Sequence, residues 1–120
     1  MGQRVSLRLA LLPCVLAFPA CADQVCLDYA VMGIQATVED ATTGAAVVPT
    51  LAVAFEGEYA DTLFHGGGGT MFGVTERAGT YRLEVTAPGY VFWLRQGIRV
   101  IEEDGCHVRT TNVVVRMTPQ

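Results

Sequence analysis

Short runs of alternating apolar and polar residues, separated by turn residues, limit what this chain can fold into more than any other feature. Residues 34–39 and 81–86 alternate strictly, and residues 106–117 follow the same pattern more loosely. A period of two places successive side chains on opposite faces of a β-strand, whereas an amphipathic helix repeats every 3.6 residues. The pattern predicts an all-β protein, a β-sandwich of seven strands in antiparallel or mixed sheets.

Residues 47–55 form a second predicted strand, and both of its faces are apolar. Leu51, Val53 and Phe55 share one face, while two alanines on the other are small enough for another element to lie close against them. Residues 90–102 are expected to form a bent strand or a strand pair.

A glycine-rich segment interrupts the middle of the chain. Residues 58–64 and 70–76 are predicted strands around the segment 65–69, which reads HGGGG. Consecutive glycines lose much backbone entropy in a strand, so the segment is predicted to be a hairpin tip. A β-bulge is expected near Asn112, because Val114 breaks the alternation of the last strand.

The first 22 residues have the three parts of a signal peptide. Arg4 and Arg8 precede an apolar run over residues 9–18, and small residues occupy most of 19–22. The run is too short for a bilayer span, which needs roughly 20 apolar residues. We therefore expect an exported protein with one domain over residues 23–120.

Two cleavage sites are compatible with this segment. Residues 20–22, Ala-Cys-Ala, fit the pattern read by ordinary signal peptidase, which would release a soluble chain beginning at Asp23. Residues 18–21 resemble a bacterial lipobox, in which Cys21 would be lipidated and become the new N-terminus. The expected location is the periplasm or cell envelope, and membrane association would depend on an anchor at Cys21.

The cysteine count leads to the same expectation for both cleavage sites. Cys14 leaves with the signal and Cys21 is lipidated or removed, so Cys26 and Cys106 remain. An even count in an oxidising compartment favours one disulfide, and its loop of 81 residues would contribute roughly 4 kcal/mol. The alternative is two unpaired buried thiols.

The charge of the mature chain argues against nucleic acid as a partner. Removal of residues 1–22 takes two arginines and no acidic residue, which leaves 6 basic and 12 acidic residues and a net charge of −6. Phosphate backbones attract proteins of the opposite sign. An anionic bilayer surface would repel the domain for the same reason.

The inventory of nucleophiles excludes two classes of enzyme. Ser6 is the only serine and lies in the signal, and the chain has no lysine, so serine-triad and Schiff-base chemistry are excluded. The HGGG string at His65 lacks the Gly-x-Ser-x-Gly elbow that accompanies such a loop in hydrolases. Cys106 and His107 are neighbours in a predicted strand and would point to opposite faces.

Metal sites and carboxylate catalysis find little support in the spacing of the remaining residues. The acidic residues lie in predicted turns at 56–61 and 102–104, without the Asp-rich loop of a calcium site and without the burial that a general acid needs. We expect no catalytic residue, metal or cofactor. The candidates for a zinc site lack paired close spacings, and they are Cys21, Cys26, Cys106 and His107.

Aromatic residues are the candidates for ligand binding. Tyr90, Phe92 and Trp93 place large groups on both faces of one predicted strand, so part of this run is exposed unless both faces are covered. His65 in the glycine-rich segment completes the predicted binding set. The alternative is a central strand with Trp93 in the core.

The segment AGTYRLEVTAPGY, residues 78–90, resembles the regulatory-like domain of carboxypeptidases, a transthyretin-like or prealbumin-like sandwich. The resemblance extends to VEDATTGAAV at 38–47 and to a closing strand after Cys106, and covers most of 31–117. It implies turn roles for Gly79 and Gly89 and core roles for Tyr81 and Tyr90. It implies a fold and no activity.

These features predict a non-enzymatic β-sandwich module of the cell envelope or of a secreted protein. Its role would be structural or in interactions, with envelope proteins or glycans as partners. One alternative is a small carbohydrate- or peptide-binding protein that uses the 56–70 hairpin and Trp93. Another is a carboxylate- or metal-dependent hydrolase.

The intact mass of the mature protein from an envelope-secreting host tests the signal segment. We expect a chain that begins either at lipidated Cys21 or at Asp23. A mass that retains residues 1–20 would contradict export.

Overall fold

The computed structural model describes residues 26–120, and the predicted signal segment and Cys21 lie outside the described residues. The described part contains strands and no helix, so no helix in it could cross a membrane. It has eight strands rather than the predicted seven. These are β1 (Met32–Asp40), β2 (Leu51–Glu56), β3 (Tyr59–Thr62), β4 (Phe64–Gly67), β5 (Thr70–Thr75), β6 (Gly79–Thr86), β7 (Trp93–Val100) and β8 (Thr111–Met117).

The strands form two four-stranded sheets that enclose one core. The first sheet has the order β4-β5-β1-β8 and the second has the order β3-β2-β6-β7. The first and last strands, β1 and β8, pair in parallel, and the other neighbours are antiparallel. The predicted all-β sandwich with mixed pairing is therefore confirmed.

Alternation in β1 and β6 decides which side chains enter the core. The apolar members of both strands are buried except the half-buried Met32, and their polar neighbours face outward except the buried Asp40 at the end of β1. In β2 the two alanines are the buried side chains, so the larger residues of that strand lie outside. The fully buried large side chains are Tyr81, Ile34, Met71, Leu83, Met117, Val38, Val74, Val85 and Val115.

The eighth strand arises because the predicted strand over 58–64 changes sheets. Leu63 separates β3 from β4, its side chain is only 3% exposed, and its N–H donates to the carbonyl of Ala52 at 2.8 Å. β3 therefore pairs with β2 in the second sheet, while β4 pairs with β5 in the first.

The prediction of a hairpin tip over 65–69 is wrong for its first half, since β4 extends to Gly67. The ring of Phe72 on β5 lies against Gly66 and occupies the space of a side chain there. This packing offsets the entropy that glycine loses in a strand. The turn itself lies at 68–69, after Gly67 at φ 113°.

The bulge predicted near Asn112 is also wrong. β8 pairs with β1 in one unbroken register, and Val114 simply faces outward from the sheet. The irregularity in the second sheet lies in β7 instead, between Arg95 and Ile98. Gly97 there has φ 75°, a conformation that L residues with a side chain rarely adopt.

The predicted disulfide is present. Cys26 and Cys106 are bonded, with their Cα atoms 5.2 Å apart. The bond joins the segment before β1 to the segment before β8. The alternative of two unpaired thiols is therefore wrong.

Replacement of Leu63 by Ala tests the sheet change. We expect Leu63→Ala to lower the free energy of unfolding by about 2–5 kcal/mol, because it opens a cavity where the chain passes from one sheet to the other. Chemical denaturation measures this loss.

Leu27→Ala makes the same chemical change at a residue that is 66% exposed, and we expect a loss below about 0.5 kcal/mol. Equal losses in both variants would contradict the role of Leu63.

Candidate functional site

The free edge of β4 is the most open piece of sheet in the described part of the chain. All four residues of Phe64–Gly67 are exposed, and β4 has a neighbour on one side only. One row of its backbone N–H and C=O groups therefore faces no strand, and none of its residues is acidic or carries Arg. This combination favours pairing with another extended chain.

The other sheet edges carry features that oppose such pairing. β3 holds an inward-pointing carboxylate, because Asp61 accepts the N–H of Val74 at 2.6 Å. β7 and β8 are linked by side chains: Arg95 and Thr111 each donate to a backbone carbonyl of the other strand, at 3.5 and 2.6 Å. Inward charges and covered edges both hinder strand addition.

An aromatic pair lies beside the free edge. Phe64 on β4 is 53% exposed, and its ring centre lies 5.9 Å from that of Phe72 on β5. His65, from the predicted binding set, is exposed on the same strand. The edge therefore combines free backbone groups with apolar surface.

The remaining predicted binding residues lie elsewhere. Phe92 is exposed, whereas Trp93 is half-buried and packs against the core from β7, with the guanidinium of Arg95 5.3 Å from its ring centre. β7 lies beside β8 at one side of the sandwich, and β4 forms the edge at the other side. The structure therefore does not bring His65 together with the 90–93 run.

Tyr90 has a clear structural contact. Its hydroxyl donates to the Asp40 carboxylate at 2.7 Å, and the same carboxylate accepts the N–H groups of Thr42 and Thr43. The Tyr90 hydrogen bond, followed by these two, lowers the pKa of Asp40, and the bond to Asp40 raises the pKa of Tyr90. The contact fixes the turn after β1 against the turn after β6.

Glu76 is the centre of a polar cluster at one end of the sandwich. Its carboxylate accepts the N–H of Val31 at 3.0 Å and that of Val108 at 3.1 Å, and lies 2.5 Å from Nδ1 of His107. The ring of Tyr29 stacks on His107 with 4.2 Å between ring centres. The bond between the two side chains lowers the pKa of Glu76 and raises that of His107.

His107 lies in the segment before β8 and is only 8% exposed. Its Nε2 has no hydrogen-bond partner among the described residues. Sequence reasoning did not identify Glu76, because the residue lies between two strands and its partners are 31 to 45 positions away. No local signal could have revealed this cluster.

The candidates for catalysis and metal binding do not converge. Residues 106–107 lie outside β8, so the prediction that they are neighbours in a strand is wrong. The Cys106 sulfur is bonded to Cys26 and does not pair with His107 as a thiol. Glu56 pairs with Arg77 at 2.8 Å rather than with another acid. In residues 26–120, no three His, Cys, Asp or Glu side chains are placed to share a metal ion.

No protein-family model matches the chain, and no curated protein matches it either. The resemblance to carboxypeptidase regulatory-like domains stays a prediction.

Glu76→Gln tests the charged cluster through its pH dependence. Folding raises the pKa of His107 and lowers that of Glu76, so the cluster contributes fully between about pH 4.5 and 6.5 and loses that contribution as the pH rises through the folded-state pKa of His107. We expect this alkaline loss of stability to disappear in Glu76→Gln. Urea denaturation midpoints from pH 5 to 9 measure it.

Glu39→Gln serves as the control, because Glu39 pairs with Arg116 and not with His107. An unchanged alkaline profile in Glu76→Gln would contradict the pairing.

Proposed function

We propose that this protein is a non-enzymatic β-sandwich module of the cell envelope or of a secreted protein, and that it binds an extended segment of a partner protein along β4. The observation that carries the proposal is the uncovered and uncharged edge of β4, since β3 holds an inward carboxylate and side chains link the edges of β7 and β8. Strand addition at such an edge uses backbone hydrogen bonds and needs no sequence motif.

The residues around β4 suit this mode of binding. Gly66 and Gly67 carry no side chain, so a partner backbone can approach closely. The exposed Phe64 and the half-buried Phe72 beside it offer apolar contact to alternate side chains of an added strand. The expected partner is therefore an extended segment with apolar residues at alternate positions, as in an envelope protein.

We also propose that the sandwich is of the prealbumin-like, carboxypeptidase regulatory-like type. The turn after β1 supports this, because the N–H of Gly44 donates to the Asp40 carbonyl, and Gly89 has φ 84° in the turn after β6. Tyr81 is a buried core residue. Gly79 departs from the implied turn role, since it lies in β6 with the Glu56 carboxylate beside its Cα.

Export to the periplasm or cell surface is part of the same proposal. The composition of residues 1–22 supports it, and so does the Cys26–Cys106 disulfide, because such bonds are rare in the cytosol. The exported protein is then either anchored by a lipid at Cys21 or released as a soluble chain that begins at Asp23.

The absence of enzymatic activity is supported by the nucleophile inventory of the sequence. Hydrolysis through carboxylates would need a pair of acids that share a site, and Glu56 and Asp61 each bind a different group. The alternative of a small peptide-binding protein is favoured by the same β4 edge. A carbohydrate ligand would instead stack on exposed rings such as Phe64.

A random peptide library displayed on phage, selected against the mature protein, tests binding at β4. We expect enriched peptides with alternating apolar residues, and we expect them to shift the backbone amide signals of β4 and β5 in NMR titrations. Phe64→Lys should abolish binding, because a lysine on an edge strand hinders the addition of another strand.

Val114→Lys is the matched control, since Val114 is 49% exposed on the opposite edge strand of the same sheet, and it should bind normally. The proposal fails if no peptide is enriched or if the shifts map to another strand.

A further inference from the structure

The outer face of the second sheet is unusually apolar for a surface open to solvent. β2 turns Ala52 and Ala54 into the core and leaves Leu51, Val53 and Phe55 on the outside. A strand that is apolar on both faces is typical of one covered on both faces. Among the described residues, the outer face of β2 is exposed at Leu51 and half-buried at Val53 and Phe55.

The neighbouring strands extend this face. Antiparallel pairing places Val53 beside Glu84 and Phe55 beside Arg82 on β6, and Glu84 beside Leu94 on β7. Residues paired in this way point to the same side of the sheet. Leu51 and Leu94 are 46% and 45% exposed, so an exposed apolar side chain lies on each side of the charged central strand.

The charges of the central strand form one ion pair along the strand. Arg82 Nε lies 2.7 Å from Glu84 Oε2, and the guanidinium of Arg82 lies 4.6 Å from the ring centre of Phe55. Both side chains retain partial exposure and can accept a further partner. Arg82 and Glu84 thus give the central strand one positive and one negative position two residues apart, and Arg99, which pairs with Thr80, adds a second positive charge on β7.

We propose that this face, formed by the outward side chains of β2, β6 and β7, binds the same face of a second copy of the protein. A two-fold axis that lies in the interface and crosses β6 at Leu83 places Arg82 opposite Glu84 of the second copy. The same axis places Val53 opposite Phe55 of the second copy. The two charges of β6 therefore meet their opposites, and the outward side chains of β2 meet each other.

Charge complementarity favours a second copy of the protein over an unrelated partner. Mature chains carry a net charge of −6 and repel each other in most orientations, so an orientation that pairs opposite charges is selected. An unrelated protein would need to supply the same pair in reverse order. The two-fold axis supplies it without any further requirement.

The size of the face indicates a weak dimer. Three strands about 4.8 Å apart and about six residues long span roughly 300 Å² of flat area per copy, below the roughly 800 Å² per partner of a standard interface. We therefore expect dimers that dissociate on dilution.

Charge reversal at the two central residues tests the dimer by sedimentation equilibrium of the mature chain from 1 µM to 1 mM. We expect concentration-dependent dimers of the natural protein. Arg82→Glu and Glu84→Arg should each weaken association at least about tenfold, because like charges then face each other. The double reversal should restore it, since opposite charges face each other again.

Val53→Arg should also weaken association, whereas Val114→Arg on the outer face of the other sheet should not. Circular dichroism checks that each variant folds. A monomer at 1 mM would overturn the proposal, and so would equal association of both single reversals and the natural protein. If Phe64→Lys were the only variant that lost the dimer, the contact would lie at β4, and the proposal would also be wrong.

Discussion

The parallel pairing of the first and last strands is the constraint on which the rest of this fold depends. About 70 residues lie between β1 and β8, and bringing the ends of such a loop together costs chain entropy. The Cys26–Cys106 disulfide and the Glu76 carboxylate both join the segment before β1 to the segment before β8. These two links align the strands at one end, and the N–H of Ala41, which donates to the Met117 carbonyl, aligns them at the other.

The elements that could be predicted are those whose cause is local. Strict alternation in β1 and β6 was sufficient to predict both strands and their buried faces, because each strand buries one face only. The disulfide followed from the number of cysteines left after the signal. The change of sheet at Leu63 was not predicted, because it leaves no break in the alternation. The strand conformation of Gly66 was not predicted either, because it depends on packing against Phe72 of another strand.

The candidate binding surfaces were harder to predict because they depend on the order of the strands. The exposure of β4 follows from its place at the edge of a sheet, and the pairing of Glu76 with His107 joins positions 31 residues apart. For β2, the pattern showed two apolar faces but not which one would enter the core. The alanines lie inside because β2 packs against β5 across the core, and small side chains allow close approach.

The backbone of Glu76 limits how this chain can vary in evolution. The residue has φ 51°, in the left-handed region, where glycine and asparagine are the usual occupants. Its carboxylate must nevertheless reach two backbone N–H groups and an imidazole. Glycine would satisfy the backbone and remove the carboxylate, while aspartate would keep the charge and shorten the reach. Position 76 is therefore a site where the contacts of the side chain require glutamate although the backbone conformation favours other residues.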